Sequence, residues 1–307
     1  TNVVLIAVYD YPFGADRLLD EWNRTVERVY AGQPLKRAYM LYGLYSSVRD
    51  RQPEKAKARL EEAYALYREY YDGSLLSMIF GRLIVWESYT VIGDMNLTQE
   101  IQAYVCEAAR ACFGKESPVS LNEELFQLIV CQNEVEKEEQ VRAAYPQLIE
   151  RMRKQGADYQ VAMANYAEFL FGIRDYRLAE EQYALLVENA TEEDPCAQRA
   201  NFLLSLAYIR DLMNKDSRDC DRLFEEGKKL LVRGKEEPDV WMENYQTAAQ
   251  YLIERGRYQE AVTILDEGID LCLERNGDNI YDMQYLGMFT LKIQLMYSGL
   301  NEMVEAK

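Results

Sequence analysis

Catalysis and metal binding need side chains that exchange protons, attack or ligate. This 307-residue sequence supplies them unevenly, with 52 Asp and Glu, 24 Tyr, six Cys and no histidine. Without histidine the usual general base, the Ser/His and Cys/His nucleophile pairs and the commonest metal ligand are all missing. Carboxylates stand side by side at Glu61-Glu62, Glu123-Glu124 and Glu192-Glu193, where a solvated helix face or turn explains them better than an acid/base pair. The cysteines Cys106, Cys112, Cys131, Cys196, Cys220 and Cys272 include no C-x-x-C pair and sit within apolar helical patterns. They read as buried thiols, which suit a reducing compartment and so a cytoplasmic location. No phosphate-binding glycine loop, dinucleotide turn or G-x-S-x-G elbow occurs. The sequence therefore calls for no enzyme, no catalytic residue, no metal and no cofactor.

Aromatic side chains remain as candidates for binding. Tyr39, Tyr42 and Tyr45, and again Tyr64, Tyr67, Tyr70 and Tyr71, recur at about three-residue spacing along one side of a helix. Such rings either line a groove or pack between helices with the hydroxyl at the rim, and Tyr42 is kept as a candidate contact. The net charge of -17, with a pI near 4.6, repels phosphate backbones and anionic headgroups, so neither nucleic acid nor membrane is an expected partner of this segment. The same charge can steer a basic partner or simply solvate the surface. The apolar run Val3 to Val8 is too short to span a membrane and lacks a basic flank, so it reads as part of a helix.

What must position these residues is helical. Hydrophobic residues make up 49% of the chain, with only 16 Gly and 7 Pro, which is the composition of an ordered protein. A small residue followed four positions later by a large apolar one recurs along the chain: Ala15 with Leu19, Ala56 with Leu60, Ile101 with Val105, Val141 with Tyr145, Ala179 with Tyr183, Cys220 with Phe224, and Ala261 with Leu265. Subtracting successive first positions gives intervals of 41, 45, 40, 38, 41 and 41 residues. Seven positions after each first member stand Trp22, Ala63, Ala108, Leu148, Leu186, Gly227 and Gly268, which completes one helix face. A second helical pattern precedes each pair across a polar turn, so each unit is an antiparallel helix pair. In it the small residue admits its partner closely and the large one fills the groove. One hairpin leaves a face bare, and stacking neighbours covers it.

The residues Met163, Tyr166, Ala167, Leu170, Tyr176, Ala179, Tyr183 and Pro195 resemble the tetratricopeptide repeat pattern unit by unit. Tyr245, Ala248, Ala249, Leu252, Tyr258, Ala261 and Leu265 repeat it, and Met283, Leu286, Gly287 and Thr290 look like the first helix of a further unit. The tryptophan position departs, and the period near 41 exceeds the family's usual 34 or so, as in long-repeat bacterial-type arrays. Between residues 75 and 140 the register stays open. The resemblance implies an all-α, right-handed α-solenoid: a single array over residues 1–307 of about seven to eight helix pairs, its first and last units incomplete. Missing halves at both ends suggest a segment of a longer protein.

Asn165, two residues before Ala167, matches the position where this family commonly keeps an asparagine that bonds a peptide backbone. On the same concave side the resemblance places Glu168, then Asn201, Ser205 and Tyr208 in the next unit, then Gln246 and Gln250. This ladder is polar and mildly acidic, and it lacks the Lys/Arg set of a carboxylate clamp. The expected function is a scaffold that binds a protein or peptide, a basic one included, on its concave face. The alternative is the sensory, effector-binding region of a bacterial signalling or transcription-regulator protein.

Overall fold

Helix starts are set by residues that satisfy the first backbone N–H groups or dispense with them. Ser74, Asp94, Ser117 and Asp175 each accept the N–H three residues on through their side chains, an N-cap worth about 1 kcal/mol. Pro34, Pro53 and Pro118 occupy first helical positions, where the missing N–H costs nothing. In this computed structural model the described residues are 15–49, 53–132, 134–235, 242–276 and 283–305. Their regular structure is helical throughout, with no strand among them.

The helices gather into two compact units, residues 1–159 and 160–307. The first holds α1 Ala15–Val29, α2 Pro34–Val48, α3 Pro53–Tyr70, α4 Leu75–Glu87, α5 Met95–Phe113, α6 Pro118–Cys131 and α7 Glu138–Lys154. The second is built on α8 Tyr159–Gly172, α9 Tyr176–Asn189, α10 Cys196–Leu212, α11 Ser217–Gly234, α12 Glu243–Glu254, α13 Tyr258–Asn276 and α14 Met283–Glu305.

Each small-then-large pair from the sequence falls on an odd-numbered helix, the second of its hairpin. Ala56, Ile101, Ala179, Cys220 and Ala261 are fully buried and Val141 nearly so, and the large partners Leu19, Leu60, Val105, Tyr145, Tyr183, Phe224 and Leu265 are all buried. The side chain of Ala15 and the run Val3 to Val8 lie outside the described residues. The period is a packing signal, as the glycines show. A Cβ at Gly227 would stand 2.8 Å from Leu204 Cγ on α10, and one at Gly268 would stand 2.9 Å from Tyr245 Cβ on α12. The two helices of these hairpins touch backbone to side chain, with no room for a methyl group. Within the first unit α2 packs on α3 and α4, and α5 on α4 and α6; within the second α10 packs on α9, α11 and α12, and α12 on α13 and α14. Each unit is thus a stack of hairpins leaning on their sequence neighbours, the all-α solenoid arrangement.

The 45-residue interval between Ala56 and Ile101 has a local cause. At the end of α4, residues Ser88–Ile92 form a π-helical turn, which inserts length before α5. Gly93 at φ 72 lets the chain leave it, and the Ser88 and Thr98 hydroxyls meet at 2.8 Å across the corner. The added length thus falls at the corner between α4 and α5, inside the 75–140 stretch whose spacing in sequence departs from the rest.

In the second unit three hairpins turn by one device. Arg174, Asn214 and Gly256 take positive φ, and the N–H of the next residue (Asp175, Lys215, Arg257) donates to the carbonyl five residues back (Leu170, Arg210, Leu252) at 2.8–3.0 Å. This Schellman closure sets the angle between paired helices, and so aims α8, α10 and α12 alike.

Candidate functional site

Because their hairpins turn alike, α8, α10 and α12 present matching faces. They line a cavity of about 560 Å³. Val161, Ala164, Asn165, Glu168 and Phe171 come from α8; Gln198, Asn201, Phe202, Ser205 and Tyr208, each 37 positions on, come from α10. Glu243, Gln246, Thr247 and Gln250, a further 45 positions along, come from α12. Spacings of three and four within each helix keep each set on one face, and the constant offsets between helices make three copies of that face stand in a row.

Seven of the eight residues singled out by sequence (Asn165, Glu168, Asn201, Ser205, Tyr208, Gln246 and Gln250) are brought together on this wall. The eighth, Tyr42, is not on it. Tyr42 belongs to the first unit's core, 6% exposed, its hydroxyl donating to Leu83 O at 2.9 Å and its ring 5.5 Å from Phe80. Sequence reasoning missed Gln198 and Glu243. Projecting the ladder one helical turn back from Asn201 and from Gln246 reaches both.

The polar lining is braced from behind. Asn165 donates to Val161 O at 2.9 Å, within its own helix. Asn201 donates to Asn244 Oδ1 at 3.1 Å, and the fully buried Asn244 donates in turn to Ala197 O at 2.8 Å. Gln198 reaches Gln160 at 3.2 Å. A Cβ at Gly287 on α14 would stand 2.6 Å from Gln246 Nε2, so α14 presses on that amide. Phe171 and Tyr208 sit with ring centres 5.7 Å apart and wall one end.

Electrostatically the cavity has one sign. Of its lining residues only Glu168 and Glu243 carry charge at neutral pH, and none is Lys or Arg. Desolvation, and then repulsion from Glu243, holds the Glu168 carboxyl above the usual carboxylate range. Glu168 is itself exposed, so this shift reflects the protein massed around a concave surface rather than removal of the carboxyl from water. Burial pushes the Tyr183 hydroxyl well above its ordinary value, opposed by its hydrogen bond with Ser205. Burial raises Tyr208 as well, helped by the charges of Glu254 and Asp211. Both phenols stay protonated and able to donate.

A second cleft, near the α10–α11 and α12–α13 turns, is lined by Asp211, Asp221, Glu254, Arg255 and Arg257 among others. Part of its charge is paired within the chain: Arg255 holds Asp211 at 2.7 Å and Asp221 at 3.0 Å. The cavity on α8, α10 and α12 differs in offering amides, hydroxyls and two carboxylates.

Two readings of chemistry-bearing residues change. Glu123, expected on a solvated face, is 4% exposed; Arg82 pairs with it at 3.3 Å and Gln102 Nε2 donates to it at 3.2 Å. Cys112 is exposed while the other five cysteines are buried. Burial pushes the Cys106 thiol up to about 12, so it is no thiolate nucleophile at neutral pH. Among the described residues no group of three or more Cys, Asp and Glu could hold a metal ion, and no helix is long and apolar enough to cross a membrane.

With this geometry in hand, the chain can be set beside known proteins. Its sequence matches no model of a known family and no curated protein. Its structure does find counterparts. BtubC (BKLC) from P. vanneervenii superposes with a TM-score of 0.51 at 14% identity, over 72% of this chain and 92% of that one. The apo form of RapI superposes with a TM-score of 0.52 at 12% identity, over 85% of this chain and 97% of that one. The fold is a tetratricopeptide-type helical repeat. Identities this low speak for the fold alone, so the reading of the cavity rests on its own residues.

Proposed function

We propose that this chain is a protein-binding scaffold whose guest is an extended peptide segment seated on the first-helix faces of α8, α10 and α12. One observation carries the proposal: corresponding positions at fixed offsets on the first helices of three consecutive hairpins line one cavity, with amides, hydroxyls and carboxylates among them. A row of amides and hydroxyls at a helix-to-helix repeat suits the backbone of an extended chain, which also repeats its donors and acceptors. The Phe171 and Tyr208 rings supply the apolar contact that fixes a guest side chain at little entropic cost. The net charge of -17 and a lining without Lys or Arg favour a guest that is basic overall, by steering and by local complementarity.

The test is an array of random-sequence octapeptides probed with the whole chain and with the combined variant Asn165→Ala, Tyr208→Phe, Gln250→Ala. Loss of three lining groups is expected to weaken the best peptides at least tenfold, about 1.4 kcal/mol. Unchanged affinity in the triple variant would remove the cavity from the function.

A further inference from the structure

We propose that the outward face of α4 is a second docking surface whose guest is an amphipathic helix of a partner protein, with a ridge of Leu- and Ile-type side chains and a carboxylate set against Arg82. The face belongs to the first unit and is independent of the cavity on α8, α10 and α12.

α4 is apolar on both sides. Phe80, Ile84 and Val85 are buried against the unit, while Leu75, Ile79, Leu83 and Trp86 are 48%, 43%, 37% and 66% exposed. With 3.6 residues per turn the exposed four fall within an arc of about 80°. A helix at a free surface turns polar residues to solvent, and one that is apolar all round is covered all round. The helix holds two charged residues, Arg82 and Glu87. Glu87 is buried, so Arg82 alone lies outward. The apolar face continues past the helix end, where the exposed Tyr89 meets Phe126 of α6 with ring centres 5.7 Å apart.

The chemistry of this wall selects its occupant. Leu75, Ile79 and Leu83 offer no donor or acceptor, so an extended chain lying on them would leave backbone N–H and C=O groups without partners. A helix satisfies its own backbone, and its side-chain ridges run at the same three- and four-residue spacing as the stripe on α4. Arg82 then fixes the charge. It stands at the edge of the arc with its side chain 61% exposed, and the buried Glu123 at 3.3 Å is its one ion-pair partner among the described residues. That contact is made through Nε, which leaves the terminal nitrogens for a guest carboxylate. A second copy of this chain is a poorer guest. Pairing α4 with itself about a two-fold axis would set Arg82, near the middle of the helix, against its own copy, and would bring together two chains of net charge -17.

The experiment titrates labelled helical peptides of about five turns into the whole chain, read by fluorescence anisotropy. Each peptide carries a Leu ridge with Glu, Gln or Lys at its edge, and a proline-broken peptide of the same composition is the extended control. The proteins are the parent, I79Q/W86Q, and R82Q/E123Q, which removes the ion pair as a whole so that no buried charge is stranded. Circular dichroism checks each fold, and the comparison among peptides on the parent needs no variant. The parent is expected to bind the Glu peptide about threefold more tightly than the Gln peptide, the Lys peptide least among the helices, and the broken control not at all. I79Q/W86Q is expected to weaken binding at least about tenfold, and R82Q/E123Q to make the Glu and Gln peptides equal. Binding that survives I79Q/W86Q, or no binding of any ridge peptide, would overturn the docking surface. Equal affinity of the parent for the Glu and Lys peptides would overturn the part given to Arg82. A parent dimer in light scattering that I79Q/W86Q dissociates would give the face to a second copy, and sedimentation with phosphatidylcholine vesicles that I79Q/W86Q abolishes would give it to lipid. Either would overturn the helical guest. None of these outcomes bears on the cavity, which the octapeptide array decides.

Discussion

The first-helix faces of the two units differ in what they leave uncovered. In the first unit α4 turns an apolar stripe outward, with Leu75 48%, Ile79 43%, Leu83 37% and Trp86 66% exposed. In the second unit the corresponding faces of α8, α10 and α12 turn out amides, hydroxyls and two carboxylates. Their charges are used in opposite ways. On α4 the ionisable residue Glu87 points inward, 2% exposed, where Arg49 donates to it and the Tyr64 hydroxyl donates at 3.2 Å. Burial and the Glu87 charge push the Tyr42 and Tyr64 hydroxyls far above the ordinary tyrosine value, so both remain donors. On α8 the carboxylate Glu168 faces the cavity, where none of the described lining residues is Lys or Arg. One carboxylate is buried and paired inside its own unit; the other lies exposed on a concave face.

Mutating these two residues gives the sharpest contrast. Glu87→Ala removes the buried carboxylate that pairs with the half-buried Arg49 and accepts from the Tyr64 hydroxyl, and the expected loss is about 3 kcal/mol, read as a drop in the urea midpoint at constant slope. Glu168→Ala, at an exposed position of α8, is expected to fall within about 0.5 kcal/mol of the parent. Equal losses at the two sites would erase the distinction between an internal and an outward-facing carboxylate.

The second contrast concerns how the two parts of the second unit's hairpins tolerate change. Gly268→Ala places a methyl 2.9 Å from Tyr245 Cβ and 2.7 Å from Met288 Sδ. Even after the gain in helix propensity, a net loss of about 1–2 kcal/mol is expected in the thermal or urea transition. A neutral or stabilising G268A would show that α12, α13 and α14 can separate without cost, and would loosen the wall that positions Gln246.

Much of this was legible in the sequence, and the limits are physical. The close-packed face of each second helix repeats because volume is conserved where helices touch. For that reason the positions from Ala56 to Ala261 could be found by counting. The register between 75 and 140 was hidden because Ile101 and Val141 fill the small-residue position with larger side chains, and because the π turn at Ser88–Ile92 adds length that no composition signal marks. On the first helices Asn165, Glu168 and their counterparts followed from the resemblance, while Glu243 was missed at the very start of α12. The sequence alone left Tyr42 open between groove and core, since a tyrosine on a helix face reads the same in both places. Burial of Glu123 and Glu87 depends on Arg82 and Arg49, 41 and 38 residues away in sequence, and no local pattern announces such partners.

The turns give a smaller effect of opposite sign. Arg174 takes a left-handed conformation, φ 64, that Gly256 adopts without strain at the equivalent corner. Arg174→Gly is expected to stabilise the second unit by about 1 kcal/mol, a rise of a few degrees in melting temperature. A decrease would mean that the Arg174 side chain contributes more than its backbone costs, and that the three corners are not equivalent.

The least of the effects is the most informative about the cavity. Because the Glu168 carboxyl is held above its unfolded value by desolvation and by Glu243, its protonated form favours the fold. Its contribution is fully present below the unfolded-state value and is lost as pH rises through the folded-state one. Glu168→Gln is therefore expected to raise the melting temperature slightly at neutral pH and to lose that advantage in acid, where the parent carboxyl is itself neutral. Glu87→Gln, in contrast, is expected to cost stability at neutral pH, since Arg49 loses its charged partner. Opposite signs for the same isosteric change at α4 and at α8 mark one carboxylate as stabilised in its charged form and the other as favoured in its neutral form. If E168Q lowers the melting temperature at neutral pH, the Glu168 charge is being stabilised from within the fold.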